Sequence, residues 1–97
     1  MMRREGSRIA VSGPVTLANV ARVLEEGYAQ IREAADTVDL AEVTELDSSL
    51  LALLLAWLRE ARRLGRGLEF TNLPPSLATI ARVYGVVDLL PSAQSHH

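Results

Sequence analysis

Asp47, Ser48 and Ser49 stand together just before nine consecutive apolar residues, Leu50 to Leu58, and they are the residues of this chain best placed to do chemistry. All three are helix-capping types, because a side-chain oxygen satisfies the free backbone N–H groups of a first helical turn. A hydroxyl there faces the positive end of the helix dipole. A phosphate carried on it would gain charge-assisted hydrogen bonds, so the serine pair reads either as a cap or as a phosphorylation switch. Asp39, Glu42 and Glu45 precede the pair and, with Asp47, offer oxygen ligands to a divalent cation. The simpler reading of Glu42 and Glu45 is a solvated acidic loop.

Hydrolytic or phosphoryl-transfer chemistry lacks its parts. Either serine would need a base as a nucleophile, yet the two histidines, His96 and His97, close the chain. There is no Gly-x-Ser-x-Gly elbow, no phosphate-binding loop and no lysine. The expectation is a protein that is not an enzyme and needs no cofactor or metal. His96 and His97, without an acid or cysteine nearby, read as a tag remnant or a native end and not as a metal site.

Charge narrows the partners. All ten basic residues are arginine, and twelve acids leave a net charge of −2, so the basic face of a nucleic-acid binder is missing. Between Glu33 and Leu58 lie six acids and no base. Arg59, Arg62, Arg63 and Arg66 lie at the far end of the helix, on the order of 20 Å away. A phosphate at Ser48 would therefore repel or redirect a partner more readily than it would lock the domain. The absence of cysteine excludes disulfides and thiolate metal sites and fits a reducing cytoplasm. The nine-residue apolar run is about half a membrane span and ends at Arg59, and no signal peptide is seen at the N-terminus. A soluble cytoplasmic protein is expected, meeting a membrane only through a partner.

The elements that must position the serines alternate. Ser7 to Ser12 reads as a strand around Ile9, Ala10 and Val11, closed by Gly13-Pro14 because proline cannot donate to a ladder except at an edge. Thr16 is the expected cap of a first helix, whose stripe is Leu17, Val20, Ala21, Leu24, Tyr28 and Ile31. Gly27 interrupts that stripe at a cost of about 1 kcal/mol against alanine. Thr37 to Leu40 is the second strand, Glu42 to Asp47 an acidic connection, and Ser48 to about Leu64 the central helix, ended by Gly65 and Gly67. Leu68 to Thr71 is a third strand, with Leu68 and Phe70 on one face. Pro74-Pro75 opens a third helix with Leu77, Ile80, Ala81 and Tyr84 inward, ended by Gly85, and Val86, Val87, Leu89 and Leu90 form a last apolar segment. The order implies one small α/β domain over 7–91, a mixed, mostly parallel sheet with crossover helices, with 1–6 and 92–97 as disordered tails.

The central helix is apolar around its whole circumference, through Leu50, Leu51, Leu53, Leu54, Leu55, Trp57 and Leu58. A helix on one side of a small sheet needs only one apolar face, so part of this surface is expected to meet another protein, near the serines.

The run Val38-Asp-Leu-Ala-Glu-Val-Thr-Glu-Leu-Asp-Ser-Ser-Leu-Leu-Ala-Leu-Leu resembles the signature of STAS domains, the fold of bacterial anti-sigma factor antagonists. Val11-Ser-Gly, Gly67-Leu-Glu-Phe-Thr with its proline-initiated helix, and the end Ala81-Arg-Val-Tyr-Gly-Val-Val-Asp-Leu-Leu-Pro extend the likeness to nearly the whole chain. It is most similar to the MlaB-like group, small subunits of Mla-type phospholipid-transport ABC complexes. That resemblance implies binding to the ABC ATPase subunit (MlaF-like) and support of its assembly or activity. The alternatives it carries are an antagonist of an anti-sigma factor kinase, switched by serine phosphorylation, and a nucleotide-binding STAS domain. By the same resemblance Ser48 matches the threonine of MlaB-like proteins, Ser49 the phosphorylated serine of sporulation-type antagonists, Asp47 the aspartate before them and Asp39 the nearby strand aspartate. Leu50 stands where glycine is usual, and Ala41 where Ser or Thr is common. The first is expected to add bulk where a kinase or ATPase surface approaches, which disfavours a phosphorylation cycle more than it does docking. A homodimer through the apolar helix surface is a further possibility.

Overall fold

In the computed structural model, which describes residues 1–86, 89 and 90, alternate positions of three strands turn to one side. Ile9, Val11, Val38, Leu40 and Phe70 are each at or below 1% exposure. Between them Arg8, Thr37, Asp39, Glu69 and Thr71 keep contact with solvent. This period of two is what a sheet shows when one face meets the core and the other meets water.

The chain runs β1 (Met2–Glu5), β2 (Arg8–Val15), α1 (Val20–Arg32), β3 (Thr37–Leu46), α2 (Ser48–Arg63), β4 (Glu69–Thr71) and α3 (Pro75–Val83). The sheet order is β1-β2-β3-β4. β1 pairs antiparallel with β2, while β2 with β3 and β3 with β4 are parallel, so α1 and α2 are the crossovers. α2 packs between α1 and α3 in one layer over the apolar face. The α/β class and the mostly parallel mixed sheet are as the alternation of elements implies.

Trp57 is fully buried, and its indole N–H donates to the Leu24 carbonyl at 3.0 Å, fixing α2 against α1. Glu60 closes the other end of this pair. Its carboxylate accepts from Arg32 of α1 at 3.0 Å and from Arg63 at 2.8 Å, and Arg32 also stacks on Tyr28 at 5.2 Å. The Arg63 and Arg32 hydrogen bonds hold the Glu60 carboxyl down at about 2.

Several boundaries differ from the sequence reading. Residues 1–6 are not a free tail, since Met2 to Glu5 register against Val11 to Arg8. The Arg4 guanidinium donates to Gln30 Oε1 at 2.8 Å and to the Glu33 carbonyl at 2.9 Å. The backbone makes this strand, and the charged side chains that resemble a tail are the usual guard of an edge. β2 does not stop at Gly13-Pro14 but continues to Val15. Its pairing with β1 ends at Val11, so Pro14 lacks a donor only where no neighbour asks for one on that side. Gly13 takes φ +83° at a register shift against β3, a bulge conformation that a side chain would strain.

α1 begins at Val20, later than a Thr16 cap would give. The Asn19 side chain instead bridges the turn, accepting from the Thr16 N–H at 3.0 Å and donating to the Pro14 carbonyl at 2.9 Å. The stripe is Val23, Gly27 and Ile31, flanked by the partly buried Val20, Leu24 and Tyr28, while Leu17 is 79% exposed and Ala21 lies outside. The acidic stretch from Glu42 is the second half of β3 and not a loop, because it pairs in parallel with Ser12 to Val15. Leu68 and Phe70 are buried as expected, and α3 buries Leu77 and Ala81, with Ile80 partly covered. Tyr84 caps α3 and stands exposed, and Gly85 follows at φ +71°. In the last apolar segment Leu90 is buried and Leu89 is not. Val87, and 92–97 with His96 and His97, lie outside the described residues.

Candidate functional site

Where β3 ends, the chain turns directly into α2 with no loop between them. Asp47 makes that turn. It is the N-cap in extended backbone, and its Oδ1 accepts from the Ser49 N–H at 2.9 Å and from the Ser49 hydroxyl. Its other oxygen accepts from the Leu17 N–H at 3.0 Å, so one carboxylate ties the start of α2 to the turn before α1. The Ser49 hydroxyl first, then the Leu17 and Ser49 N–H groups, hold the Asp47 carboxyl below the ordinary range. The cap is thus an ionised carboxylate at the positive end of the helix dipole, and neither serine fills that role.

The two serines part company here. Ser48, first residue of the helix, is exposed. Ser49 is half-buried and its hydroxyl is engaged by Asp47. Leu50 departs from the expectation more sharply. It is fully buried in the core, so its bulk points inward and adds nothing to the surface a partner would meet. Its place in the first turn of α2, facing the sheet, is the reason.

Asp39 is not brought to the serines. It lies on the open face of the sheet, eight residues of strand before Asp47, which is roughly 26 Å of extended chain. There it accepts from Arg8 at 2.7 Å, from Asn72 at 2.9 Å and from the Ala41 N–H at 3.0 Å. Burial pushes its carboxyl up, but the Asn72, Arg8 and Ala41 hydrogen bonds outweigh this and bring it from 3.8 to about 2. Glu42 and Glu45 are exposed along β3, with Glu42 3.6 Å from Arg3. Among the described residues no three His, Cys, Asp or Glu side chains gather to hold a metal ion.

Much of the apolar circumference of α2 is covered. Leu50, Leu51, Leu53, Leu54, Trp57 and Leu58 join the core, and Leu55 is partly open. What remains beside Ser48 is a groove of about 270 Å³ lined by Ser48, Leu51, Ala52, Leu55, Tyr84 and Val86. Tyr84 and Val86 were not legible as parts of a site, since both continue apolar patterns that read as core. Leu17, tethered by Asp47, adds an exposed apolar side chain at the same end of α2. No helix among the described residues is long and apolar enough to cross a membrane.

This architecture recurs in solved structures. A chain of the Acinetobacter MlaFEDB complex in an ATP-bound conformation aligns with TM-score 0.83 at 24% identity, over 96% of this chain and 99% of that one. The unphosphorylated anti-sigma factor antagonist SpoIIAA aligns with TM-score 0.72 at 17% identity, over 98% and 88%. The phosphorylated Bacillus SpoIIAA gives 0.67 at 16%, over 98% and 91%. At these identities the likeness speaks for the fold, which is that of a STAS domain. No curated protein matches the sequence. Residues 2–91 match the family model of the MlaB STAS domain, and the chain belongs to that family.

Proposed function

We propose that this protein is a non-enzymatic STAS module that binds and supports the ATPase subunit of an Mla-type phospholipid-transport ABC complex, using the Ser48 end of α2. The family match over residues 2–91 carries the reading, and a similar chain stands within a complex named MlaFEDB. The surface is suited to the task. An exposed hydroxyl, an apolar groove and the tethered Leu17 lie at one end of one helix, beside the Asp47 cap. In this reading the protein is cytoplasmic and reaches the inner membrane through its partner, with no nucleic acid and no cofactor involved.

A pull-down of tagged protein from its host at native level, beside Ser48→Glu, tests it. Recovery of an ABC ATPase and its permease with wild type, lost with a variant that keeps its fold, is the expected result. Recovery of a histidine-kinase-like ATPase in their place would overturn it.

The likeness to SpoIIAA keeps a second reading, an anti-sigma factor antagonist switched by phosphorylation. Here Ser48 is the accessible acceptor, whereas a phosphate on Ser49 would displace its hydroxyl from Asp47 and set two anions side by side. Uptake of phosphate from ATP with a cognate kinase would favour this reading. A nucleotide-binding role would show as heat on titration with ATP or GTP.

A further inference from the structure

The groove beside Ser48 does not end at Leu55. That residue is shared with a second concavity of about 210 Å³, lined by Leu55, Leu58, Arg59, Arg62 and Leu89. Ser48, Leu51, Leu55, Arg59 and Arg62 follow one another at helical spacing, so the two form one trough along a single side of α2. Its floor runs from Ser48 to Arg62, about 21 Å at 1.5 Å per residue. One end is apolar, with Ala52 exposed and Tyr84 at 63%. The other carries two exposed guanidiniums beside Leu89.

Those two arginines differ from Arg32, Arg63 and Arg8, although Arg66 and Arg82 likewise meet no carboxylate among the described residues. Arg32 and Arg63 are taken up by Glu60 and Arg8 by Asp39. Among the described residues neither Arg59 nor Arg62 pairs with a carboxylate. In a chain of net charge −2, they place positive charge at one end of an otherwise apolar channel. The trough also lies between α2 and the end of α3, away from any strand edge. An occupant therefore finds no ladder to satisfy its backbone and must satisfy it internally, as a helix does. A flat anionic bilayer would touch the rim without filling the concavity.

We propose that this trough receives an amphipathic helix of the partner, apolar where it passes Ser48 and Ala52 and carrying carboxylates where it passes Arg59 and Arg62. The proposal rests on the partner-binding reading above and gives the chemistry of what is bound.

The test uses the full chain and two labelled peptides of sixteen residues, each with leucines at i, i+3, i+4 and i+7. One ends in glutamates and the other in lysines. By fluorescence anisotropy the glutamate peptide binds at least about tenfold tighter, and Arg59→Glu/Arg62→Glu reverses that preference. Ala52→Glu weakens both peptides by about tenfold, while Arg3→Glu/Arg22→Glu, the same charge change elsewhere, shifts binding less than about twofold. Circular dichroism confirms that each variant folds.

Equal affinity for the two peptides, or a preference that survives Arg59→Glu/Arg62→Glu, overturns the proposal. So does a homodimer in sedimentation that Ala52→Glu dissolves, which would make a second copy the occupant. Binding of anionic phosphatidylglycerol vesicles that depends on both arginines but not on Ala52 would overturn it in favour of a lipid surface. The same variants are titrated against the purified ATPase subunit. An ATPase that binds wild type and both trough variants alike keeps the ATPase as partner, moves its interface off the Ser48 end of α2 and removes this inference. An ATPase that does not bind at all, with peptides behaving as expected, removes the partner's identity and leaves the trough's chemistry.

Discussion

The indole of Trp57 occupies the space that a side chain at Gly27 would need. A Cβ built on Gly27 would fall 2.1 Å from Trp57 Cε2 and Cζ2, an overlap of ring and methyl. The indole cannot retreat, because it is fully buried and its N–H is bonded to the Leu24 carbonyl. The residue that weakens α1 as an isolated helix is the one that lets α2 approach it.

Gly27→Ala should therefore destabilise the protein in spite of its better helix propensity. Alanine returns about 1 kcal/mol in α1, and the forced overlap costs more, for a net loss of about 2 kcal/mol. Urea unfolding measures it. In Gly27→Ala/Trp57→Phe the two changes should be non-additive, the smaller ring relieving the clash.

Asp47→Ala should cost about 1–2 kcal/mol, the upper part of the range for a cap, because it frees the Leu17 turn as well as the helix start. Ser48→Ala should change stability by less than about 0.5 kcal/mol, since its side chain is exposed and is not the cap. If the two losses came out equal in thermal melts, the assignment of the cap to Asp47 would fail.

Leu50→Ala should lose about 3 kcal/mol, as for other buried leucines cut to alanine. Affinity of the folded fraction for the partner should stay within about twofold, because Leu50 faces the sheet and not the surface. Calorimetry below the lowered melting temperature separates the two effects.

Acid should weaken the fold through two carboxylates. Asp39 is lowered from 3.8 to about 2 and Glu60 from 4.5 to about 2. With folded values below unfolded ones, protons bind the unfolded chain more readily. Their stabilisation is complete above the unfolded values and is lost as pH falls through about 2. The Asp39 share is at most about 2 kcal/mol, discounted because Arg8 is partly in water. Urea midpoints at pH 6 and pH 2.5 should draw closer in Asp39→Asn and closer still when Glu60→Gln is added. An unchanged gap would show that these ion pairs do not set the acid limit.

How far the sequence reveals this molecule follows the range of the interactions. α2 was legible in full, from the Asp-Ser-Ser cap types to Gly65, because caps, apolar run and terminal glycine act within a few residues. β1 was not, since Met-Arg-Arg-Glu has nothing to bury and is a strand only because β2 lies beside it. The stretch from Glu42 to Leu46 failed similarly, its acids suggesting a loop while its backbone pairs with residues some thirty positions earlier. In α1 the stripe was displaced because one of its three buried positions is a glycine, which no hydropathy pattern can mark. At the candidate site, Asp47, Ser48 and Ser49 stand together at the start of α2, whereas Leu50 turns inward and Asp39 lies on the open face of the sheet. Tyr84 was hidden by resembling core.

The open face of the sheet bears on what the protein becomes when it is occupied. At present most apolar side chains of α2 join the core it shares with the sheet and flanking helices, and a shallow channel runs beside Ser48. A helix laid in that channel would turn two layers into three and place α2 in the middle. Leu55, the α2 leucine that the core only partly covers, would then be covered by assembly. The protein would carry into the complex a slab whose outermost surface is the polar sheet, ready-made as the solvent boundary of a larger body.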